Sequence, residues 1–237
     1  MGKTIVIKLG GSLLSDSEKV PFDFVYLKKF AGIIRKYVKK DYKFAIVTGG
    51  GYMMRRLRDE AKEAGISEEK QLHWIGTTYN NVNAEITRAY MHDICNERIV
   101  AYDDYYSDDP LEFEKSVILG GGGRPGHSGD MDAFLLAQKL GSQEILTLKN
   151  VDGVYTDDPK KDPNATRLDK LTWDEYFKII GYKNEHDPGG NYPIDPVTSK
   201  KAKEQGTVFF VILGEDLDNF EVALEGREFV GTTVGPT

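Results

Sequence analysis

Short apolar runs alternate along the chain with longer stretches in which apolar and charged residues are mixed. The apolar runs are rich in β-branched residues, as buried strands are, whereas the mixed stretches have the spacing of helices with one apolar face. The pattern predicts strands near 3–9, 43–48, 98–101, 116–119, 144–148 and 207–213. It predicts helices near 23–39, 52–65, 80–95, 130–140 and 196–205. Strands and helices that alternate in this way indicate an α/β fold, a mainly parallel sheet with helices on both faces.

Two segments between the predicted elements have the composition of loops. Residues 103–110 form an acidic, turn-rich connection, and residues 185–193 contain glycine, proline and asparagine in close succession. We expect one domain over residues 1–237. Residues up to about 140 would form an acceptor-substrate lobe and residues from about 141 a nucleotide lobe, both on the same sheet.

Three of the predicted strands run directly into glycine clusters. The first strand is followed by Gly10-Gly11-Ser12, the second by Gly49-Gly50-Gly51 and the fourth by residues 120–123. Because glycine has no Cβ, backbone N–H groups in such a turn can approach a ligand closely, and a strand that leads through glycines into a helix is a common anion-binding arrangement. Ligands of parallel sheets bind beyond the carboxyl ends of the strands. The three clusters together predict that several phosphate groups are held along one edge of the sheet.

Composition excludes some classes of protein. The 237 residues, of which 40% are hydrophobic and 29% charged, suffice for a large core. The net charge of −7 argues against a general nucleic-acid-binding protein, whose surface would be basic, but not against a nucleotide ligand. No apolar run reaches the roughly 18 residues of a membrane span, and the first residues lack the apolar core of a signal peptide. We therefore expect neither a nucleic acid nor a membrane as a partner.

Cys95 is the single cysteine of the chain, and on a predicted helix it is expected to fill space in the core. One cysteine allows neither an intrachain disulfide nor a zinc site built from a cysteine cluster. Such a chain fits a reducing compartment, so we expect a cytoplasmic protein.

Lys8 interrupts the apolar pattern of the first strand two positions before the glycines. It alternates with Ile7 and Leu9 and so lies on the opposite face of the strand. One interpretation is a lysine at an exposed strand end. The other is an ammonium group held beside Gly10-Gly11-Ser12, where it meets a transferring phosphoryl group.

Arg55 and Arg56 lie in the first turns of the predicted helix that follows the second glycine cluster. An arginine in this position can form two hydrogen bonds to a phosphate that also contacts the glycine amides. Two arginines on a helix are also typical of a solvated face, and Arg58 is expected at the surface.

The segment 123–130 connects the third glycine cluster to an apolar helix, and small hydroxyl and glycine residues at a helix start suit an anion. Asp130 either caps this helix or orients Lys8 or a metal-bound phosphate. His127 is either a ligand or, the interpretation we favour, a loop histidine in a turn. The segment 150–159 follows another strand and is either an acidic surface loop or a nucleotide-binding loop in which Tyr155 faces an adenine.

Several of these motifs together resemble the amino acid kinase family. They are Lys-Leu-Gly-Gly-Ser at 8–12, the glycines at 49–51 with Arg55, residues 125–130, and the segment 150–163, which is highly specific for the nucleotide-binding half of that family. The helix start at 194–196 and the residues 225–233 agree with it. Within the family the likeness is greatest to uridylate (UMP) kinases of the archaeal type, and it covers nearly the whole chain.

The resemblance implies a three-layer αβα sandwich with a mainly parallel central sheet, assembled as a homohexamer. It implies transfer of the ATP γ-phosphoryl group to UMP in pyrimidine nucleotide synthesis, with Mg²⁺ and with no protein ligand assigned to the metal. By position, Lys8 would contact the transferring phosphoryl group and Asp130 would organise the centre. ATP would be bound by Gly10, Gly11, Ser12, Asn150, Asp152, Tyr155 and Asp158, and the acceptor by Gly50, Gly51, Arg55, His73 and Ser128.

Three departures from the uridylate kinase pattern fall on the acceptor side. His73 stands three residues before Gly76, where uridylate kinases carry an aspartate that holds the ribose hydroxyls. Asn80-Asn81 replaces a Thr-Arg pair of the archaeal proteins, and Ser128-Gly129 replaces Thr-Thr. Two alternatives therefore stay open: a kinase that acts on another small phosphate or carboxylate, and a relative that uses ATP to store molybdate.

Overall fold

The computed structural model describes residues 3–159, 161–182 and 192–236, so most of the predicted loop at 185–193 lies outside the described residues. Its main sheet consists of β1 (Thr4–Leu9), β2 (Lys43–Thr48), β3 (Val117–Gly120), β4 (Glu144–Lys149), β7 (Lys170–Thr172), β8 (Val208–Leu213) and β9 (Thr232–Gly235). A separate two-stranded sheet consists of β5 (Val154–Tyr155) and β6 (Arg167–Leu168). The main sheet has seven strands in the order β3-β2-β1-β4-β8-β9-β7, so one sheet runs through both halves of the chain.

Eight α-helices occur within the described residues. They are α1 (Gly11–Leu14), α2 (Phe24–Val38), α3 (Gly51–Glu63), α4 (Glu69–Tyr90), α5 (Gly129–Lys139), α6 (Trp173–Ile179), α7 (Pro196–Gln205) and α8 (Leu217–Leu224). A 3₁₀-helix spans Tyr102–Tyr106, inside the connection predicted to be a loop. Helix α7 begins where the sequence predicts, because Asp195 accepts a hydrogen bond from Thr198 N and Pro196 takes the first helical position.

The strands that carry the glycine turns are parallel. β1 pairs in parallel with β2 and β4, and β2 pairs in parallel with β3. Only β9 is antiparallel to a neighbour, β8, within this sheet of the described chain. The carboxyl ends of β1, β2 and β4 therefore meet at one edge, where a ligand site is expected.

Side chains of β1 alternate between two cores, one on each face of the sheet. Ile5, Ile7 and Leu9 pack in a cluster with residues of α2 and α8, such as Phe30 and Phe220. Val6, on the other face, belongs to a cluster with residues of α5, α6 and α7. Burial of apolar surface on both faces, at about 25 cal/mol per Å², stabilises a three-layer arrangement. The predicted αβα sandwich with a mainly parallel sheet is confirmed.

Two element predictions are wrong. No strand forms at 98–101, where Val100 makes only an isolated parallel bridge to Gly120. Helix α4 runs from Glu69 to Tyr90 rather than from about residue 80 to 95, and Gly76 and the polar residues after it lie inside the helix. Tertiary packing of buried side chains such as Leu72 and Thr77 outweighs the weak helix propensity there.

The sequence pattern also misses the helices α1, α6 and α8 and the strands β5, β6, β7 and β9. Helix α6 has a capping box that was available in the sequence: Thr172 accepts from Glu175 N, and Glu175 accepts from Thr172 N.

Candidate active site

A cavity of about 570 Å³ opens at the carboxyl ends of β1, β2 and β4. The turn after β1 (Gly10 and Gly11) and the turn after β2 (Gly49 to Gly51) form part of its wall. The two turns touch, because a Cβ at Gly11 would lie 2.2 Å from Gly51 N, and Gly51 has a φ of +73°. Glycine is therefore required sterically at both positions, and backbone takes the place of side chains at this part of the wall.

Lys8, Asp130 and Lys149 form a buried charge cluster beside these turns. Lys8 Nζ lies 3.6 Å from Asp130 Oδ1, and Lys149 Nζ lies 3.1 Å from Asp130 Oδ2. Both lysines line the cavity, whereas Asp130, in the first turn of α5, lies behind them and is 4% exposed. Asp130 Oδ2 also accepts a hydrogen bond from Asp195 N at the start of α7. The structure thus brings Lys8 and Asp130 together, and Asp130 does not cap α5.

Burial governs the protonation of this cluster. Burial lowers the pKa of Lys8 to about 8, Asp130 opposes this shift, and the charge of Lys149 adds to it. Burial alone would raise the pKa of Asp130, but Lys149 and Lys8 hold it below its ordinary value. At neutral pH the cluster therefore contains an ionised carboxylate and a protonated Lys8.

The opposite wall of the cavity is formed by α3 and α4. Arg55 and Arg58 line it together with Lys62, and His73 lies half-buried across from them. Arg58 was expected at the surface, and its side chain is 41% exposed while it also lines the cavity. Arg56 instead points away and forms ion pairs with Glu18 and Glu60. The cationic wall is thus Arg55, Arg58 and Lys62, beside which Asp59 and Glu69 also line the cavity, and Asp59 Oδ1 lies 3.7 Å from Arg58 Nη2.

The segment before α5 supplies the third part of the wall. Ser128 caps the helix by accepting a hydrogen bond from Met131 N (3.3 Å), and it also lines the cavity. His127 lines the cavity as well, and its Nδ1 lies 2.6 Å from Tyr106 Oη. Burial lowers the pKa of His127, so its imidazole is a neutral hydrogen-bonding group near pH 7.

The third glycine cluster does not face the cavity, which corrects the prediction of three phosphate-binding turns. Its amides are used inside the protein: Gly121 N donates to Val100 O, Gly122 N to Asn81 Oδ1 and Gly123 N to Asp132 Oδ1. A Cβ at Gly121 would lie 2.1 Å from Asn81 Oδ1. These glycines serve close packing of the segment against α4.

The two adjacent asparagines of α4 have different positions relative to the cavity. Asn81 is buried and holds Gly122, so it does not line the cavity as an acceptor-side residue. Asn80 does line the cavity, near Gly50. Of the two departures at this point, only Asn80 is placed to affect a ligand directly.

Only part of the predicted nucleotide loop lines the cavity. Asn150 lines the cavity together with Ser12, whereas Asp152, Tyr155 and Asp158 lie outside the wall formed by the described residues. Tyr155 Oη donates to Asp152 Oδ1 (2.9 Å), Arg167 Nη1 lies 3.3 Å from Asp152 Oδ2, and Asp158 pairs with Lys161 at 3.4 Å. These polar groups stabilise the turn that follows Asn150.

Within the described chain no group of three histidine, cysteine or acidic side chains could hold a metal ion. None of its helices is both long enough and apolar enough to cross a membrane.

Comparison with known proteins gives concordant results. A sequence model of the amino acid kinase family matches residues 3–212. The uridylate kinase of Pyrococcus abyssi is 31% identical over 232 residues, which cover 98% of this chain and 99% of that protein. The crystal structure of uridylate kinase from Archaeoglobus fulgidus superposes with a TM-score of 0.80 at 29% identity and covers 98% of this chain and all of that one (100%). UMP kinase from Bacillus anthracis shares the fold, with a TM-score of 0.80 at 23% identity over 98% of this chain and 96% of that chain.

Proposed function

Because the chain belongs to the amino acid kinase family, we propose that it transfers the γ-phosphoryl group of ATP to UMP, which yields ADP and UDP. It is a phosphotransferase with ATP as co-substrate, as the similarity to uridylate kinases over nearly its full length supports. The observation that carries the proposal is the position of Lys8 and the two touching glycine turns in one cavity. A cavity of about 570 Å³ has the size of a small-molecule site.

The chemistry needs charge neutralisation rather than a base. A phosphate acceptor is already an anion at neutral pH, so it can attack the γ-phosphorus without losing a proton to the protein. The protein must bring two anions into line and stabilise the charge on the transferring oxygens. The ammonium of Lys8 supplies positive charge and the amide of Gly11 supplies a donor where that charge develops, whereas Gly10 N already donates to Leu148 O.

The cationic wall is the place for the acceptor phosphate. Arg55 and Arg58 are guanidinium groups that can each form two parallel hydrogen bonds to phosphate oxygens. Gly50, Gly51 and Ser128, which line other parts of the same cavity, would also contact the acceptor. His73 would meet the sugar hydroxyls of the acceptor, because the two ring nitrogens of an imidazole form hydrogen bonds.

Mg²⁺ would bind through the nucleotide rather than in a protein cage. The cavity offers Ser12 and Asn150 as neutral oxygen ligands, while Asp130 is engaged by two lysines. Mg²⁺ prefers oxygen ligands and commonly binds through substrate phosphates with few protein groups, so these residues fit it. When bound, it would neutralise charge on the triphosphate.

Two further properties belong to the proposal. Asn150 lies at the start of the segment 150–159, in which Asp152, Tyr155 and Asp158 would shape the adenosine end from behind the wall. A homohexamer in the cytoplasm is proposed from the family resemblance, and the exposed Leu57 and Ile66 beside α3 offer apolar surface for self-association. Light scattering of the purified chain tests the hexamer.

A coupled ADP-release assay tests the acceptor. UMP, CMP and dUMP, together with glutamate and isopentenyl phosphate, are each offered with Mg-ATP. The proposal expects the highest kcat/KM with UMP. Because His73 replaces the usual aspartate, a higher kcat/KM with another acceptor would support the alternative kinase. ADP release that depends on molybdate instead of an acceptor would support oxoanion storage.

A further inference from the structure

A second lysine stands at the reaction centre, and neither the motifs nor the family resemblance gives it a role. Lys149 is the last residue of β4, next to Asn150. Its side chain is 12% exposed and lines the cavity, as does that of Lys8 at 13%.

Strand register explains why the two lysines converge. Lys8 on β1 is opposite Thr147 on β4, so Lys149 lies two residues further along the same face of the sheet. Helix α5 packs on that face and places Asp130 between them. Each lysine approaches a different carboxylate oxygen, Lys8 Oδ1 and Lys149 Oδ2. The geometry holds two ammonium groups at the end of the sheet where β1 and β4 finish.

The charges of the cluster do not balance without a ligand. One carboxylate can neutralise one ammonium, and Asp130 is shared by two. Removing a second ammonium from water is costly unless it finds an anion. In the cavity that anion would be a phosphate group, which has enough oxygen atoms to contact both lysines and the glycine amides.

We propose that Lys149 is a second catalytic lysine, which contacts the transferring phosphoryl group from the β4 side while Lys8 contacts it from the β1 side. This inference rests on the proposed phosphoryl transfer. In the step, the bond between the γ-phosphorus and the β,γ-bridging oxygen breaks, a bond from an acceptor phosphate oxygen to that phosphorus forms, and ADP leaves with the electron pair. Lys149 transfers no proton in this step and stabilises charge.

Nucleotide binding tests the contact without the acceptor. Calorimetry compares ADP with a non-hydrolysable ATP analogue, both with Mg²⁺, for the unaltered chain, Lys149→Met and Lys149→Gln. Lys170→Met, at an exposed lysine of β7, is the matched control. Loss of Lys149 should weaken the triphosphate analogue by at least about tenfold and ADP by less than about twofold. Equal weakening of both nucleotides, or none, in the variant that folds would overturn the inference.

Kinetics separates a catalytic role from a positioning role. Both Lys149 variants should lower kcat by about 100-fold or more, with little change in the acceptor KM. If Lys149 only positioned Asp130, the Lys149 variants would keep the ratio of the affinities for the triphosphate analogue and ADP. The pH dependence of activity set by Lys8 would shift instead. That pair of results would contradict the proposal. An unaltered chain that binds ATP but phosphorylates no acceptor would count against the proposed function. The calorimetry would still show whether Lys149 contacts the γ-phosphate.

Discussion

Asp132→Asn should stabilise the protein increasingly as the pH rises. Asp132 lies in the first turn of α5 and is 1% exposed, and its Oδ1 accepts a hydrogen bond from Gly123 N at 3.2 Å. Burial raises its pKa from 3.8 to about 8; the Gly123 amide opposes this shift, and Asp130 adds to it. The native state therefore keeps the proton over a range in which the unfolded chain loses it.

The sign and the size follow from proton linkage. The stability contributed by protonated Asp132 is complete below about pH 4 and is lost as the pH rises to about 8. At ~1.4 kcal/mol for each pH unit, the loss approaches about 6 kcal/mol over the full range and about 3 kcal/mol between pH 5.5 and 8.5. Asparagine does not titrate and can still accept from Gly123 N, so this loss disappears.

Urea unfolding of both chains across this pH range measures the difference. The gain from Asp132→Asn should grow by about 3 kcal/mol between about pH 5.5 and pH 8.5. Asp108→Asn, at an exposed aspartate, should show no such trend. A gain that is the same at both pH values, or a loss that is constant, would refute the assignment of a protonated, buried Asp132.

Three predictions concern catalysis. Lys8→Ala should lower kcat by at least about 100-fold with little effect on the acceptor KM, and normal turnover would remove Lys8 from the mechanism. Arg55→Ala should raise the acceptor KM by about tenfold or more at nearly constant kcat, because it removes a contact made in the ground state; unchanged acceptor kinetics would refute its role. In the unaltered chain, kcat/KM for ATP should fall as the pH rises above about 8, where Lys8 loses its proton, and a flat profile from pH 7 to 10 would argue against an ammonium at Lys8.

The fold was largely predictable because strand and helix periods are local signals. The five predicted strands that form lie within one residue of their predicted bounds, and the αβα layers follow from their alternation with helices. The strand at 98–101 was not predictable, since the segment is apolar but pairs only at Val100. The predicted start of helix α4 was too late because Gly76 and its polar neighbours are weak helix formers. Their helical conformation depends on tertiary packing, which the local sequence does not show.

The site was only partly predictable because the burial of a side chain and the direction in which it points depend on tertiary contacts. The interruption of an apolar strand by Lys8 and the two glycine turns were visible in the sequence, and the structure places them in one cavity. Lys149 has the same local signature as a surface lysine at a strand end, so nothing in the sequence pattern shows that its side chain is only 12% exposed. The glycines at 120–123 have the pattern of a phosphate-binding turn but do not form one. Gly122 N and Gly123 N donate instead to Asn81 and Asp132, which the sequence pattern does not show.

Transfer of label from [γ-³²P]ATP tests the central claim most directly. The chain is mixed with labelled Mg-ATP and UMP for a single turnover, and the products are separated. We expect the label in the β-phosphate of UDP, and we expect Lys8→Ala to abolish its appearance. Label that is found only in inorganic phosphate, or in UDP at equal rates with Lys8→Ala, would contradict the central claim.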